Sequence, residues 1–136
     1  AGTIPVIAPI AEDSTGGRLN VNADSAAGKV AAAVQAEKLV VVSDTHGVLT
    51  DMNDPNSWVS SLNEAQIKEM IDAGIITDAM FPKVEACLIA LEGGAKKAHI
   101  IDGRIEHSLL LEIYTDKGVG TQIIKNGKQN IEEVKV

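Results

Sequence analysis

Cysteine and aromatic side chains are scarce here: one cysteine, one tryptophan, one phenylalanine and one tyrosine in 136 residues. Cys87 alone excludes a disulfide scaffold, so the core has to come from packing, and the composition fits a reducing compartment. Trp58, Phe81 and Tyr114 are too few to make a stacking platform for bases. Positive charge is also short. Twelve Lys and Arg face nineteen Asp and Glu, a net charge of −7, so nucleic acid is not an expected partner. No apolar run approaches the ~18 residues needed to span a bilayer, and no signal peptide is visible. What is present is 45% apolar residue content over one domain's length, enough to bury roughly two-thirds of the unfolded surface. The chain opens at Ala1 rather than Met, inside what reads as a strand, and so reads as a fragment.

The apolar runs are short, rich in Val and Ile, and separated by helical patterns. Residues 4–10 (IPVIAPI) read as a strand whose Pro5 and Pro9 suit an edge or irregular ends. Residues 39–42 (LVVV), without polar alternation, read as a parallel strand buried on both faces. Residues 98–101 and 121–124 look similar, and Thr15-Gly16-Gly17 signals a hairpin before Asp24. Four helices are predicted. The first runs from Ser25 with Ala27, Val30, Ala31 and Val34 on its inner face. The second is capped by Asn63 with Gln66 three residues on, stapled by Leu62 and Ile67, and ended by Gly74. Val84, Cys87, Leu88 and Leu91 stripe the third, closed by Gly93-Gly94, and Leu109, Leu110 and Ile113 the fourth, stopped by Gly118. Strands alternating with helices predict an α/β three-layer sandwich, a mostly parallel sheet with helices on both faces. One domain is expected over 1–125, followed by a charged tail, 126–136, that is expected to fray.

Ligands of open α/β sheets bind beyond the carboxyl ends of strands, here residues 44–49, the turn before the third helix, and Gly103 onward. Several familiar devices are missing. Gly28-Lys29 and Gly127-Lys128 do not complete a Walker A motif, and Gly118-Val119-Gly120 precedes a strand rather than a helix. There is no CxxC, HExxH or GxSxG, and His46, His99 and His107 share no metal-ligand spacing, so no protein metal site is expected. Two segments stand out. Residues 19–24 (LNVNAD) present Asn20 and Asn22 on one face just before a helix. Residues 75–83 (IITDAMFPK) bring Lys83 into the start of a helix, where the backbone favours negative charge. An anion held there by Lys83 and free amides would account for it.

NVNAD before an Ala-rich helix, LVVVSDTHGVL, IITDAMFPKVEACLIALEGGAKKAHIIDGR and LLLEIYTDKGVGTQI, in that order, resemble the carboxy-terminal half of acetylglutamate kinases, within the amino-acid kinase fold family. The resemblance runs from about Thr3 to Lys125, and its several parts are far more specific together than any one motif. It implies an amino-terminal half, absent here, that supplies a Gly-rich loop, a second lysine and a carboxylate-holding arginine. It further implies ATP-dependent phosphorylation of the side-chain carboxylate of N-acetyl-L-glutamate in arginine biosynthesis. ATP with Mg²⁺ would be the phosphoryl donor, in a cytoplasmic enzyme whose full-length form is a homo-oligomer.

By position, the resemblance implies that Asn20 contacts acetylglutamate, Asp24 organises the catalytic lysines and Lys83 supports the moving phosphoryl group. Asp44, Thr45, His46, Gly47, Val48 and Leu49 would lie against the nucleotide, with Ile75, Ile76 and Thr77 a second stretch along it. His99, Glu112 and Gly118 stand where arginine-sensitive members contact that inhibitor, Glu112 as a bidentate guanidinium acceptor. The chemistry is coherent: phosphoryl transfer is mainly positioning and charge neutralisation, and an ionised carboxylate needs no general base. Two departures stand out. Ala79 replaces a family glycine, where its Cβ would crowd the backbone or demand another φ/ψ, and Thr45-His46 alters the nucleotide loop.

From the residues alone, Asp24 reads first as a helix N-cap, Lys83 and Glu112 as solvated surface charges, and Asn20 and Asn22 as hairpin residues. Cys87 reads as a packed, inert core thiol. Other readings are a relative acting on another small carboxylate and a non-catalytic nucleotide-binding or regulatory module. Lacking the partner groups, the chain alone is expected to bind nucleotide weakly and turn over negligibly.

Overall fold

The computed structural model describes residues 2–77, 79–115 and 118–125. The predicted charged tail, 126–136, lies outside them. Ten elements follow in order: β1 (Ile10–Glu12), β2 (Arg18–Asn20), α1 (Ala23–Ala33), β3 (Lys38–Ser43), β4 (Ser61–Asn63), α2 (Glu64–Asp72), α3 (Phe81–Glu92), β5 (Lys97–Asp102), α4 (Ser108–Tyr114) and β6 (Gly120–Ile124). β1 and β2 form a separate antiparallel hairpin, Ile10 opposite Asn20. Its turn is closed by the Asp13 carboxylate, which accepts from the amides of Thr15 (2.7 Å) and Gly17 (2.9 Å).

The other four strands make one sheet in the order β3-β5-β6-β4. β3 runs parallel to β5 and β4 parallel to β6, while β5 and β6 are antiparallel, so the sheet is mixed but mostly parallel. Side chains alternate between the faces of a strand. On β5, Ala98 and Ile100 enter a core with Val84, Cys87 and Leu91 of α3, and His99 on the other face meets Glu112 of α4. Helices therefore cover both faces, as the alternation of elements predicts. Ile67, Ile100 and Ile123 are fully buried in this core, each contributing about 1.5–3 kcal/mol.

The predicted cap of α2 is present in full. Asn63 accepts from the Gln66 amide, Gln66 returns a bond to the Asn63 amide, and Leu62 and Ile67 are buried beside them. The stripe on α3 is likewise buried or half-buried along its length.

Other elements differ from the pattern reading. Only Ile10 of the predicted strand 4–10 pairs, and Ile4 and Val6 are almost wholly exposed. Pro5 and Pro9 lack the amide a ladder needs, and no described strand lies alongside. β3 is an edge strand of the described sheet rather than one buried on both faces, with Val41 inside and Val42 outside. β4 escapes a periodicity reading because it is three residues long and its one buried side chain, Leu62, also serves the cap. α1 buries Gly28 and Ala31 while Val30 and Val34 stay exposed. The reason is close approach: a Cβ on Gly28 would lie 2.6 Å from the Ala86 carbonyl oxygen of α3. α4 is inverted relative to its predicted stripe. Ser108 and Glu112 face inward, whereas Leu109, Leu110 and Ile113 face outward, and its C-cap is Thr115 rather than Gly118.

Candidate functional site

β3 ends at Ser43, and the chain turns sharply through residues 44–49. Gly47 permits the turn with φ +126°. A second segment is delivered by the end of α2, where the Ile75 and Ile76 amides both donate to the Met70 carbonyl (2.9 and 3.2 Å). Thr77 then accepts from the amides of Met80 and Phe81, which starts α3. Between the two segments lies a cavity of about 300 Å³, at the small end of the range for ligand sites. It opens beyond the carboxyl end of β3, where open α/β sheets bind ligands.

Eight of the nine residues expected along a nucleotide line this cavity: Asp44, Thr45, Gly47, Val48, Leu49, Ile75, Ile76 and Thr77. The ninth, His46, turns away from the lining and places Nδ1 3.1 Å from Asp102 Oδ2. Ser43, Ala79 and Met80 also line the space, as does Met52, whose sulfur takes the Thr77 hydroxyl at 3.7 Å. Nothing local signalled Met52, which arrives from the polar 51–57 loop. Asp78, next to Ala79, lies outside the described residues.

Lys83 projects from the first turn of α3 into the cavity wall, and its Nζ sits 3.1 Å from Asp24 Oδ2. The anion facing this lysine is thus a carboxylate of α1. Free helix amides do not contribute: the Phe81 and Lys83 amides are bonded to Thr77 and Met80 carbonyls, and residue 82 is Pro. Asp24 is not the N-cap of α1. Asn22 holds that position and accepts from the Ser25 amide at 3.0 Å, leaving the Asp24 carboxylate for Lys83. The two helices that carry them, α1 and α3, pack closely at Gly28. Cys87, one turn along α3, has its thiol pushed up to about 12 by burial and by the Asp24 charge, so it is a packed, inert thiol. Asn20 is exposed at the end of β2 and does not line the cavity.

Beside the cavity mouth, Asp102 is buried at the end of β5 and takes three donors from Arg104: the amide, Nε (both 2.9 Å) and Nη2 (2.7 Å). Those bonds, chiefly the side-chain pair, hold its carboxyl at about 2. Arg104 went unnoticed as a paired residue because an arginine two residues after a strand end reads as surface.

His99, Glu112 and Gly118 are brought together on the far face of the sheet. Glu112 is buried rather than solvated, and its Oε1 pairs with His99 Nδ1 and with Lys38 Nζ at 3.2 Å. Its Oε2 accepts the Val119 amide at 3.1 Å, and a Cβ on Gly118 would stand 3.0 Å from the same oxygen. Both carboxylate oxygens are therefore engaged internally, which corrects the reading of Glu112 as a solvated surface charge. Lys38 was missed because 74 residues separate it from Glu112. Burial lowers His99 to about 4, and its Nε2 has no hydrogen-bond partner among the described residues.

A mixed α/β sheet with helices on both faces, and a cavity beyond β3 whose wall holds a lysine paired with an aspartate, place the molecule among three-layer α/β proteins. Residues 1–102 match the amino acid kinase family, and the chain belongs to that family. It is 53% identical over 123 residues to a curated acetylglutamate kinase of Moorella thermoacetica, an overlap covering 90% of this chain and 42% of that relative. The chain thus spans less than half the length of such relatives. Among solved structures, N-acetylglutamate synthase from Neisseria gonorrhoeae, complexed with coenzyme A and N-acetyl-glutamate, matches with TM-score 0.77 and 27% identity. That match covers 88% of this chain and 27% of the synthase. Carbamate kinase from Giardia lamblia bound to AMP-PNP matches with TM-score 0.65 over 86% of this chain and 37% of that one; at 18% identity the likeness is one of fold.

Proposed function

We propose that this chain forms the nucleotide-holding part of an acetylglutamate kinase, an enzyme that transfers the γ-phosphoryl group of ATP to the side-chain carboxylate of N-acetyl-L-glutamate. The observation that carries the reading is Lys83 in the wall of the cavity between residues 44–49 and 75–77, held from behind by Asp24 at 3.1 Å. In this reading the apolar side chains of Val48, Leu49 and Ile76 take the base, and Lys83 neutralises charge on the phosphoryl group as it moves. Asp24 fixes the lysine's position. Mg²⁺ enters as part of the nucleotide substrate. Asn20, at the end of the hairpin leading into α1, contacts the acetylglutamate. The sequence likeness to acetylglutamate kinases over 90% of the chain supports this choice of substrate over other small carboxylates.

The test is coupled ADP release by the full-length protein with acetylglutamate, glutamate and aspartate compared. ADP release that depends on acetylglutamate is expected, with the 136-residue chain alone turning over negligibly. Equal or better rates with glutamate or aspartate would move the assignment to another amino-acid kinase. ATP binding without turnover of any of the three would favour a non-catalytic module.

A further inference from the structure

We propose that Thr121 is a positioning residue for the cavity: its buried hydroxyl fastens the 44–59 segment to the sheet, so that the wall formed by Gly47, Val48 and Leu49 is set before any ligand arrives. The proposal rests on the nucleotide reading above and adds to it a residue that touches no substrate.

Thr121 lies on β6, paired with Ile100 of β5, and is completely buried. Its Oγ1 donates to the Val59 carbonyl at 2.6 Å and accepts the Val48 amide at 2.8 Å. One hydroxyl thus ties both ends of an excursion whose two sides also meet directly, with the Val59 amide on the Val48 carbonyl at 2.9 Å and Leu49 bridged to Trp58. The next residue of β6, Gln122, adds a tether through its amide to the Ser60 carbonyl. Gly47 packs onto the same spot. A Cβ there would lie 2.5 Å from Thr121 Oγ1 and 3.0 Å from the Thr121 amide nitrogen. Only a residue without a side chain lets the cavity wall approach this hydroxyl so closely. A β-branched residue suits the strand, but the paired donor and acceptor require an oxygen there; valine would fill the volume and take this partner from the buried Val48 N–H and the part-buried Val59 C=O.

The test compares parent, Thr121→Val and Thr121→Ser in the full-length protein, by residue-resolved hydrogen exchange, calorimetric titration with Mg·ATP, and kinetics. Thr121→Val should speed exchange of amides 47–59 without changing those of α3, and raise Kd and KM for ATP roughly tenfold with kcat at saturation within about threefold. Thr121→Ser should restore both within about threefold, since it keeps the oxygen. A uniform loss of stability with no split between KM and kcat would mean a merely structural hydroxyl and would overturn the proposal, as would unchanged exchange and affinity in Thr121→Val. If Thr121→Val does not fold, the parent still decides: rapid exchange of the Val48 amide contradicts the anchor, and slow exchange together with near-parent ATP affinity in Thr121→Ser supports it. No ATP binding by the parent would defeat the nucleotide reading and Thr121's role toward it, whatever the exchange of residues 47–59.

Discussion

Lys83 would be an awkward residue in isolation, a cation in the first turn of a helix whose dipole opposes it. Asp24, 59 residues earlier, resolves the conflict at 3.1 Å, with both side chains only about a fifth exposed. In the proposed reaction the lysine's charge matters most in the transition state. Lys83→Ala in the full-length protein should therefore lower kcat by about 10²–10³ while changing KM for ATP much less. Steady-state kinetics decide it: a kcat within a few-fold of the parent removes Lys83 from the chemistry. The oddity of Lys83 was legible in the sequence from its position alone. Its partner was not, because a contact across 59 residues has no local signature, and only the family resemblance named Asp24. His99 offers a second prediction. Burial depresses its protonation to about 4 in the folded protein, below the ordinary histidine value of 6.5. Between those values the unfolded chain binds a proton that the folded one refuses, so stability is retained above about pH 6.5 and lost as pH falls toward 4. Thermal melts across that window should show a falling Tm in the parent and a shallower fall in His99→Gln. Identical slopes would contradict it.

Elements with an unambiguous signature formed where the sequence placed them. α2 has a reciprocal cap at Asn63 and Gln66, and α3 has an apolar stripe through Val84, Cys87 and Leu91. α1 and α4 did not present the predicted faces, for opposite reasons. α1 approaches α3 through glycine and alanine, so its bulkier Val30 and Val34 are left outside. α4 turns a carboxylate inward because Lys38, His99 and the Val119 amide satisfy it there, an arrangement that hydrophobic periodicity cannot reveal. The close contact at Gly28 gives an element-scale prediction. Gly28→Ala gains helix propensity but drives its Cβ into the Ala86 backbone at 2.6 Å, so α1 must shift. A net loss of about 1–3 kcal/mol is expected in urea unfolding. Because α1 carries Asp24 and α3 carries Lys83, the same substitution should weaken their pairing and lower kcat. A variant as stable and active as the parent would show that the contact does not set their spacing.

At the scale of the molecule, the α/β class and the helix layers on both faces followed from the alternation of short Val/Ile runs with helical patterns. The antiparallel pairing of β5 with β6 did not, since a strand's direction leaves no mark on its composition. Two segments separated by 25 residues, 44–49 and 75–77, converge on one cavity because β3 and α2 both end there, with Lys83 and Asp24 in reach. In the proposed function, nucleotide binds where they converge. This is tested most directly by following backbone amide shifts of the isotope-labelled protein during titration with Mg·AMP-PNP. Saturable shifts concentrated at Gly47, Val48, Leu49, Ile75–Thr77 and Lys83 are expected, with the Glu112 cluster on the opposite face little affected. Shifts that saturate elsewhere while these residues stay unperturbed would contradict it.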